Sequence, residues 1–370
     1  MELGWIELIG YRCYPEAMVE PAPGVNVFVG DNGTGKTSLL EAIGYLASLA
    51  SFRRSPDPSL VRRGQEAAVV RGEFVARDRT LRVEVEIPED GRRRVLVNGK
   101  RPAGRAEVVS AVPLVAFLPD DLDLVKRGPS YRRDYLDDLA AGLWPAAGAE
   151  SSDYERVLRQ RNTLLRRDGR HADRPTLDVW DERLSHLGAK VIKRRLDLLS
   201  RLEPRLSALY ADLGERPEPL SARYHSSALG PLGLSDVEGV EERLAEALAA
   251  ARMGDMERRI STVGPHRDEV MVFVSDRDLR TRASQGEQRT VALGLRVAAY
   301  ELLREEKGAT PMLILDDVFS ELDPGRSRRL VGKMPDGQIF VSTAREEEVP
   351  LVGTRWSVAD GVVRVREEGS

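Results

Sequence analysis

Cysteine, histidine and lysine are scarce in this chain of 370 residues. The single cysteine, Cys13, excludes an internal disulfide, which suits a reducing cytoplasm. Four scattered histidines beside one cysteine give no support to a His/Cys zinc cluster. Only seven of the 56 basic residues are lysines. We interpret this arginine bias as compositional, because Arg-for-Lys exchange is weak evidence of function.

Long apolar runs are also missing, and charge of one sign does not dominate. No run approaches the roughly 20 apolar residues that a membrane-spanning helix needs, so no membrane association is expected. The opening segment MELGWIELIGYRCYPEA lacks a basic region followed by a long apolar core, so we expect no signal peptide. Acids and bases are interspersed and the net charge is −4, which excludes a uniformly basic nucleic-acid coat and leaves any DNA contact to a local patch. We therefore expect a cytoplasmic globular protein.

Strand-like segments near both ends of the chain flank a helical middle. Strands are predicted at residues 4–13, 24–30, 67–76, 81–100 (as a hairpin or meander), 111–122, 269–276, 312–318 and 337–344, and a helix at 36–50. In the middle, apolar residues from Trp180 to Leu202 recur at helical spacing and predict one face of a long helix. A second helix is predicted at 236–258, and residues 214–234, rich in Pro, Gly and Ser, are predicted to connect the two.

This order of segments predicts one α/β domain that is interrupted by an insert. We expect an N-terminal lobe at 1–125, an all-helical arm at 126–257 and a C-terminal lobe at 258–370. Because both ends of the chain supply strands, those strands should share one sheet and one core.

A glycine-rich loop, GDNGTGKTS, satisfies the pattern G-x-x-x-x-G-K-[ST] between a predicted strand and a predicted helix. Its glycines allow consecutive N–H groups to face a phosphate, and the helix start adds partial positive charge. Lys36 is expected to reach the β- and γ-phosphates, and Thr37 to supply a hydroxyl to Mg²⁺. The predicted nucleotide-binding residues are Gly30, Asp31, Asn32, Gly33, Thr34, Gly35, Lys36, Thr37 and Ser38. The alternative is an ordinary glycine-rich turn.

Two acids follow an apolar segment in MLILDDVFSELDP at 312–324. A buried strand that ends in Asp316 is typical of the acid that holds Mg²⁺ in P-loop nucleotidases, so Thr37 and Asp316 are the predicted metal ligands. Asp317 is placed to polarise the attacking water, and together with Lys36 and Asp316 it completes the predicted catalytic set. The alternative is a strand that ends in solvated acids.

A second small polar loop, SQGEQR at 284–289, opens directly into an amphipathic segment far from the first loop. Small polar residues before a helix favour an exposed anion site, because the first N–H groups of the helix have no partner within it. The alternative is a surface helix with an ordinary N-cap.

Several segments resemble known families. SQGEQR is similar to the signature of ABC-type ATPases, with Ser284, Gly286 and Glu287 in the matching places, and SELD at 320–323 resembles the D-loop of that class. Segments that resemble the RecF family of recombination-mediator ATPases occur in that family's order: SFRRSPDPSLVRRG (51–64), FLPDDLDLVKRGPSYRRDYLD (117–137), TVGPHRDEV (262–270), the signature and LILDDVFSELDP. The insert resembles the arm of RecF and of SMC-type heads in length and character rather than in residues.

This resemblance implies an α/β fold of the ABC-type P-loop ATPase head, a β/α sandwich built from both chain ends, with the all-helical arm inserted. ATP and Mg²⁺ are the implied cofactors. Two heads would face each other as a homodimer, with Ser284, Gly286 and Glu287 binding the γ-phosphate held by the partner. Weak, DNA-stimulated hydrolysis would remove that phosphate and loosen the dimer.

The same resemblance implies ATP-dependent binding to double-stranded DNA near single-strand gap junctions. It also implies partnership with RecR, indirectly with RecO and RecA, and a place at the nucleoid. The candidate DNA-contact residues are Arg132, Arg133, Arg53 and Arg54, which lie in pairs dense enough to contact phosphates. For each pair the alternative is a solvated surface role.

The chain departs from the general ABC pattern at two places. Pro119, Asp120 and Asp121 occupy the stretch where the Q-loop glutamine is expected, and Ser342 or Thr343 stands at the position of the switch histidine. The absence of that histidine indicates slow hydrolysis.

Two residues in the resembling segments have open roles. His266 in GPHRD is either a structural residue or one that couples to nucleotide or DNA, and Arg12 aligns with an SMC-type arginine that touches phosphate or DNA. The competing functions are an ATPase subunit of a transport complex and a scaffold that senses nucleotide without hydrolysing it.

Overall fold

The computed structural model describes residues 1–76, 79–213, 218–334 and 337–366. Residues 77–78, 214–217, 335–336 and 367–370, which fall in the predicted lobes and the predicted connection, lie outside the described residues. By its internal contacts the chain forms two compact units, Met1–Asp120 with Ala299–Ser370, and Asp121–Ala298. The first unit therefore combines both ends of the chain, as the distribution of strands predicts.

Fifteen strands and ten helices are numbered here in chain order over the described residues. The strands are β1 Glu2–Tyr11, β2 Tyr14–Val19, β3 Val25–Val29, β4 Ala67–Val75, β5 Thr80–Pro88, β6 Arg94–Val97, β7 Leu114–Phe117, β8 Leu220–Ser226, β9 Gly230–Leu232, β10 Glu269–Val274, β11 Arg277–Asp278, β12 Met312–Asp316, β13 Ile339–Thr343, β14 Thr354–Ala359 and β15 Val362–Val365. The helices are α1 Lys36–Ser48, α2 Arg105–Ala111, α3 Leu122–Lys126, α4 Pro129–Leu143, α5 Pro145–Asp168, α6 Arg174–Leu213, α7 Val240–Arg258, α8 Leu279–Arg282, α9 Gln285–Lys307 and α10 Pro324–Lys333.

The first unit contains two sheets. One is antiparallel with the order β2-β1-β4-β5-β6, and its strands alternate buried and less buried residues, as a sheet with one covered face does. The other has the order β15-β14-β3-β13-β12-β7, and its central strands are parallel and buried along their length. Strands from both ends of the chain pair within this second sheet, so the predicted shared sheet is confirmed.

Helix α1 lies in the core of the first unit and contacts strands of both sheets. Leu39 and Ile43 of this helix are fully buried together with Ile6 of the antiparallel sheet and Phe340 of the parallel sheet. Packing of this kind removes large apolar side chains from water and holds the start of α1 at the edge of the parallel sheet. The glycine-rich loop is therefore anchored by the buried helix that follows it.

The second unit packs helices α4 to α7 beside an antiparallel sheet with the order β11-β10-β8-β9. Helix α6 is 40 residues long and buries Leu184, Val191, Leu198 and Leu202, which confirms the predicted long amphipathic helix. Within the described ranges, no helix combines the length and the apolar character that crossing a membrane requires.

The prediction that residues 126–257 are entirely helical is wrong, because β8 and β9 lie in the segment predicted as a connection. The burial pattern of β8 alternates as a half-covered strand does, but Pro and Gly on both sides conceal that period in the sequence. Strand β10 pairs with β8 along its whole length. Residues 258–298 therefore belong to the second unit by contact, and not to the predicted C-terminal lobe.

Candidate functional site

The glycine-rich loop joins β3 to α1, and its shape depends on small residues. Gly33 and Gly35 have φ angles of +87° and +114°, a region that favours glycine. A Cβ atom on Gly35 would lie 2.7 Å from Sγ of Cys13 and 2.8 Å from the hydroxyl oxygen of Tyr14. The Tyr14 hydroxyl also donates to the carbonyl oxygen of Gly35 at 3.0 Å. Residues at the turn between β1 and β2 therefore contact the loop, and no sequence pattern indicates this contact.

The start of α1 suits an anion. No described side chain caps its first turn, so its leading N–H groups are available to a phosphate. Lys36 Nζ donates to the carbonyl oxygens of Gly30 at 2.6 Å and of Asp31 at 2.8 Å, which holds the ammonium over the loop. Burial lowers the pKa of Lys36, and the carboxylates of Asp317 and Asp316 oppose that effect. Lys36 therefore lies within electrostatic range of both acids.

Asp316, at the end of β12, is the centre of the acidic half of this site. Its Oδ1 accepts a hydrogen bond from Thr37 Oγ1 at 2.9 Å and another from Ser342 Oγ at 2.5 Å. The side chain is buried, and burial raises the pKa of Asp316, while the hydrogen bonds from Ser342 and Thr37 lower it. The structure thus brings together Thr37 and Asp316, the two predicted metal ligands.

These two oxygen donors fit Mg²⁺. Magnesium takes oxygen ligands in an octahedron and is usually held by one or two protein groups, with phosphates and water supplying the rest. Thr37 and Asp316 offer a hydroxyl and a carboxylate on adjacent elements, already within hydrogen-bonding distance of each other. Among the described residues no cluster of three or more His, Cys, Asp or Glu side chains forms another metal site.

Two arginines near the loop have different surroundings. Arg53 is exposed, and its charge lowers the pKa of Asp316. Arg12 instead forms a bidentate pair with the buried carboxylate of Glu41 at 2.9 Å and also donates to Ser55 Oγ. Arg12 is therefore a structural link between β1 and α1, and the prediction that it touches phosphate or DNA has no support in these contacts.

The second predicted anion site lies in the second unit, where Ser284 precedes α9. Ser284 and Glu287 form a reciprocal cap: the Ser284 N–H donates to Glu287 Oε2 at 2.7 Å, and the Glu287 N–H donates to Ser284 Oγ at 3.3 Å. Arg277 donates to Glu287 Oε1 at 3.0 Å and to both oxygens of Glu218. Burial raises the pKa of Glu287, but hydrogen bonds from Ser284 and Arg277 hold that pKa below its ordinary value.

These contacts change the role of Glu287. A carboxylate accepts hydrogen bonds and repels an anionic oxygen, and both oxygens of Glu287 are already engaged with Ser284 and Arg277. Glu287 therefore shapes the loop, and the prediction that it binds phosphate directly is wrong. Exposed Ser284 and half-buried Gly286 remain the candidate phosphate ligands.

The GPHRD segment lies at the centre of a buried polar network in the second unit. His266 Nδ1 lies 2.6 Å from the Tyr154 hydroxyl, and Asp268 accepts from the Tyr224 hydroxyl at 2.7 Å. Arg195 pairs with Asp137 at 2.7 Å and donates to the Pro265 carbonyl oxygen. These contacts favour the structural interpretation of His266.

Two of the four predicted DNA-contact arginines are engaged within the protein. Arg132 is 9% exposed, pairs with Glu269 at 2.9 Å and donates to carbonyl oxygens of the preceding turn. The prediction that Arg132 contacts DNA is therefore wrong, because its donors are consumed by the fold. Arg133 is half-buried and donates to the Asp268 carbonyl oxygen at 2.7 Å. Arg53 and Arg54 are the exposed members of the set.

The two departures from the ABC pattern have structural explanations. Asp121 is buried and accepts from Arg296 at 2.6 Å, so the acid in the Q-loop stretch belongs to the internal pairing of the second unit. Thr343 Oγ1 exchanges hydrogen bonds with the backbone of Arg345, whereas Ser342 contacts the acids. Of the two residues proposed at the switch position, Ser342 is the one that faces the site.

Residues 2–365 match the family described as the RecF/RecN/SMC N terminal domain. The chain is 41% identical to the DNA replication and repair protein RecF of Streptomyces avermitilis over 373 residues, which covers 98% of this chain and 99% of that protein. The identity to RecF of Acidothermus cellulolyticus is 40%, and the match covers 99% of this chain and all of that protein. The chain belongs to the RecF family.

Solved structures agree with this assignment. The recombination mediator protein RecF-ATP of the RecFOR pathway superposes on this RecF-family chain with a TM-score of 0.91 and 31% identity, covering 99% of both chains. An Smc head bound to the C-winged helix domain of ScpA has a TM-score of 0.55 at 18% identity, which shows a shared fold. The predicted ABC-type head is therefore confirmed, and RecF membership replaces the alternative of a transport subunit.

Proposed function

We propose that this RecF-family chain binds Mg²⁺-ATP at the site of Lys36, Thr37 and Asp316 and hydrolyses it slowly. The observation that carries this proposal is the joining of Thr37 and Asp316 beside Lys36, at an uncapped helix start. Similarity to the RecF-ATP structure supports ATP as the nucleotide.

Each group at the site has a distinct task. The N–H groups of the loop and the Lys36 ammonium would hold the β- and γ-phosphates. Thr37 and Asp316 would hold Mg²⁺, which neutralises charge on the phosphates when it is bound. Asp317 would orient and polarise the attacking water. The charge of Arg53 lowers the pKa of Asp316, and the same charge would favour a bound triphosphate.

Dimerisation is the proposed use of the second loop. Ser284 and Gly286 would contact the γ-phosphate bound by a second copy of the chain, and the reciprocal contact would complete a two-fold dimer. The Ser284–Glu287 cap supports this proposal, because it fixes an exposed serine at the start of α9. Loss of the γ-phosphate removes charge and acceptors from the contact, so hydrolysis would release the partner.

DNA is the proposed partner of the ATP-bound dimer. By family similarity the dimer would bind double-stranded DNA near single-strand gap junctions, act with RecR and indirectly RecO, and promote RecA loading at the nucleoid. The remaining candidates for contact with DNA phosphates are the exposed Arg53 and Arg54 and the half-buried Arg133. Hydrolysis stimulated by DNA belongs to the same proposal.

The decisive experiment is sedimentation with an unhydrolysable ATP analogue, with ADP and without nucleotide, each with and without duplex DNA. We expect the chain to form dimers with the analogue, but not with ADP or without nucleotide. We also expect those dimers to retain duplex DNA. Lys36→Ala should weaken nucleotide binding, since it removes the cation over the loop. A chain that stays monomeric at high concentration under saturating analogue contradicts the dimer.

Ser284→Arg tests the contact in trans. It should leave nucleotide affinity intact but prevent dimers, because a long cationic side chain would occupy the place of the γ-phosphate. Ser235→Arg is the matched control, since it introduces the same side chain at another exposed serine of the second unit and should dimerise normally.

A further inference from the structure

Ser342 links the two acids of the site through one hydroxyl. Strands β12 and β13 run parallel, and their register places Ser342 directly opposite Asp316. The Ser342 side chain is buried, with 2% exposure. Its Oγ lies 2.5 Å from Asp316 Oδ1 and 3.0 Å from the backbone nitrogen of Asp317.

The direction of each hydrogen bond follows from the chemistry of the groups. A serine hydroxyl has one proton and two lone pairs, an ionised carboxylate only accepts, and a backbone N–H only donates. Ser342 therefore donates to Asp316 and accepts from Asp317. Its only proton is committed to Asp316, so it is not offered to a γ-phosphate as a switch histidine would offer one.

The bond to Asp317 holds a strained part of the backbone. Asp317 has a φ angle of +52°, in the left-handed region that is strained for a residue other than glycine. Its N–H donates to both the carbonyl oxygen of Ser342 at 3.2 Å and Ser342 Oγ at 3.0 Å. The carboxylate of Asp317 partly offsets the lowering of the Lys36 pKa that burial causes.

We infer that Ser342 is a positioning residue that orients Asp316 toward Thr37 and holds the turn that directs Asp317 into the site. This role rests on the proposed function, since Asp317 is the residue that would act on water. Ser342 touches neither nucleotide nor water in this role. It acts through the two acids, in the place where other ABC-type heads have a histidine.

The test compares Ser342→Ala with Ser342→Thr and with Thr343→Val. Two quantities are measured for each variant: kcat against KM for ATP, and the ratio of ATP affinities in Mg²⁺ and in EDTA, from titration with a fluorescent ATP analogue. Ser342→Ala should lower kcat about tenfold or more and raise KM several-fold, in step with the loss of Mg²⁺-dependent affinity. It should also reduce the Mg²⁺-to-EDTA affinity ratio several-fold, because Asp316 loses its orienting donor.

The other two variants separate positioning from general stability. Ser342→Thr keeps the hydroxyl and should restore most of kcat and of the affinity ratio. Thr343→Val removes a neighbouring buried hydroxyl that exchanges hydrogen bonds with the Arg345 backbone, so it should retain kcat and the ratio. Should Ser342→Ala fail to fold, Ser342→Cys provides a nearly isosteric side chain with a weaker donor and should show the same two losses.

Equal losses in Ser342→Ala and Thr343→Val overturn the inference, as does a Ser342→Ala protein with the kcat and affinity ratio of the unmodified chain. If the unmodified chain binds ATP without cleaving it, the proposed hydrolysis is refuted. The role of Ser342 is then tested by the Mg²⁺-to-EDTA affinity ratio alone. In that case a ratio unchanged by Ser342→Ala overturns the inference, and a reduced ratio supports it.

Discussion

Tyr154 and His266 are joined by a short hydrogen bond inside the second unit: the tyrosine hydroxyl lies 2.6 Å from the imidazole Nδ1. The other ring nitrogen, Nε2, lies 3.3 Å from the carbonyl oxygen of Ser261. A carbonyl oxygen only accepts, so the arrangement is satisfied by the neutral tautomer with its proton on Nε2. Burial, together with the charges of Arg267 and Arg133, lowers the pKa of His266 to about 4.

Stability should fall in acid partly through His266. Its pKa is lowered from 6.5 in the unfolded chain to about 4 in the folded protein, so between these values the unfolded state binds more protons. The contribution is present above pH 6.5 and is lost as the pH falls toward 4, amounting to roughly 3 kcal/mol at most. Urea unfolding at several pH values measures this loss.

His266→Asn is the comparison for that measurement, since asparagine bonds but does not titrate. It should be less stable at pH 7 and lose less stability between pH 6.5 and 4 than the unmodified chain. Asp268 has a pKa raised by burial and acts in the opposite direction in both proteins, so the difference between them isolates His266. If the free energy of unfolding falls with pH in the same way for both proteins, His266 does not contribute to the loss of stability in acid.

A buried arginine should dominate the stability of the helices around it. Arg161 is fully buried, and it donates to Asp181 at 2.7 Å and to Asp255 at 2.8 Å. Arg161→Met leaves these two carboxylates buried without that cation, at a cost of about 3–5 kcal/mol in the free energy of unfolding. Arg156→Met is the control, because Arg156 is 61% exposed and an exposed pair contributes about 1 kcal/mol or less. Chemical denaturation that gave equal costs for both variants would contradict this account.

The candidate residues of the nucleotide site can be identified in the sequence because its components are local. The loop from Gly30 to Ser38 is one continuous motif between a strand and a helix, and Asp316 stands at the end of an apolar strand. The prediction that Arg132 contacts DNA fails because the contacts of Arg132 are not local in the sequence. Its partner Glu269 lies 137 positions away, so an arginine pair that looks solvent-exposed in the sequence is buried by a contact that only the fold reveals.

The second unit was predicted less completely for a similar reason. Helix α6 is visible in the sequence because apolar residues from Trp180 to Leu202 repeat at helical spacing. Strand β8 is flanked by Pro and Gly, and most of its residues pair with β10, which follows much later in the chain. The role of Glu287 was likewise concealed, because Arg277 and Glu218 converge on that loop only in the folded unit.

The Thr37–Asp316 hydrogen bond predicts where Mg²⁺ contributes to nucleotide affinity. Thr37→Ala removes a hydroxyl that would bind the ion and also bonds Asp316 at 2.9 Å. We expect about a tenfold loss of ATP affinity in Mg²⁺, about 1.4 kcal/mol, and little change in EDTA. Titration of a fluorescent ATP analogue in both buffers measures the two affinities.

Thr37→Ser is the matched control because it keeps the hydroxyl and deletes only a methyl group. It should retain the affinity in Mg²⁺ and in EDTA. Equal affinity losses in the two buffers for Thr37→Ala would show a packing defect instead of a magnesium contact.

Asp317→Asn should separate binding from hydrolysis. The amide is nearly isosteric and keeps the backbone N–H that Ser342 holds, but it cannot take up a proton from water, so turnover should fall about 10²-fold or more. Nucleotide binding and dimerisation should persist, and complexes with ATP and duplex DNA should last longer than those of the unmodified chain. Dissociation of labelled duplex from the ATP-bound protein, followed after dilution into competitor DNA, gives both lifetimes.

Asp316→Asn distinguishes this effect from general damage to the acidic pair, since it should reduce the Mg²⁺-dependent affinity for ATP and shorten the DNA complex. The two neighbouring substitutions are therefore expected to move the lifetime in opposite directions. Equal lifetimes for Asp317→Asn and the unmodified chain would favour the scaffold that senses nucleotide without cleaving it, because such a protein has no use for a residue that acts on water.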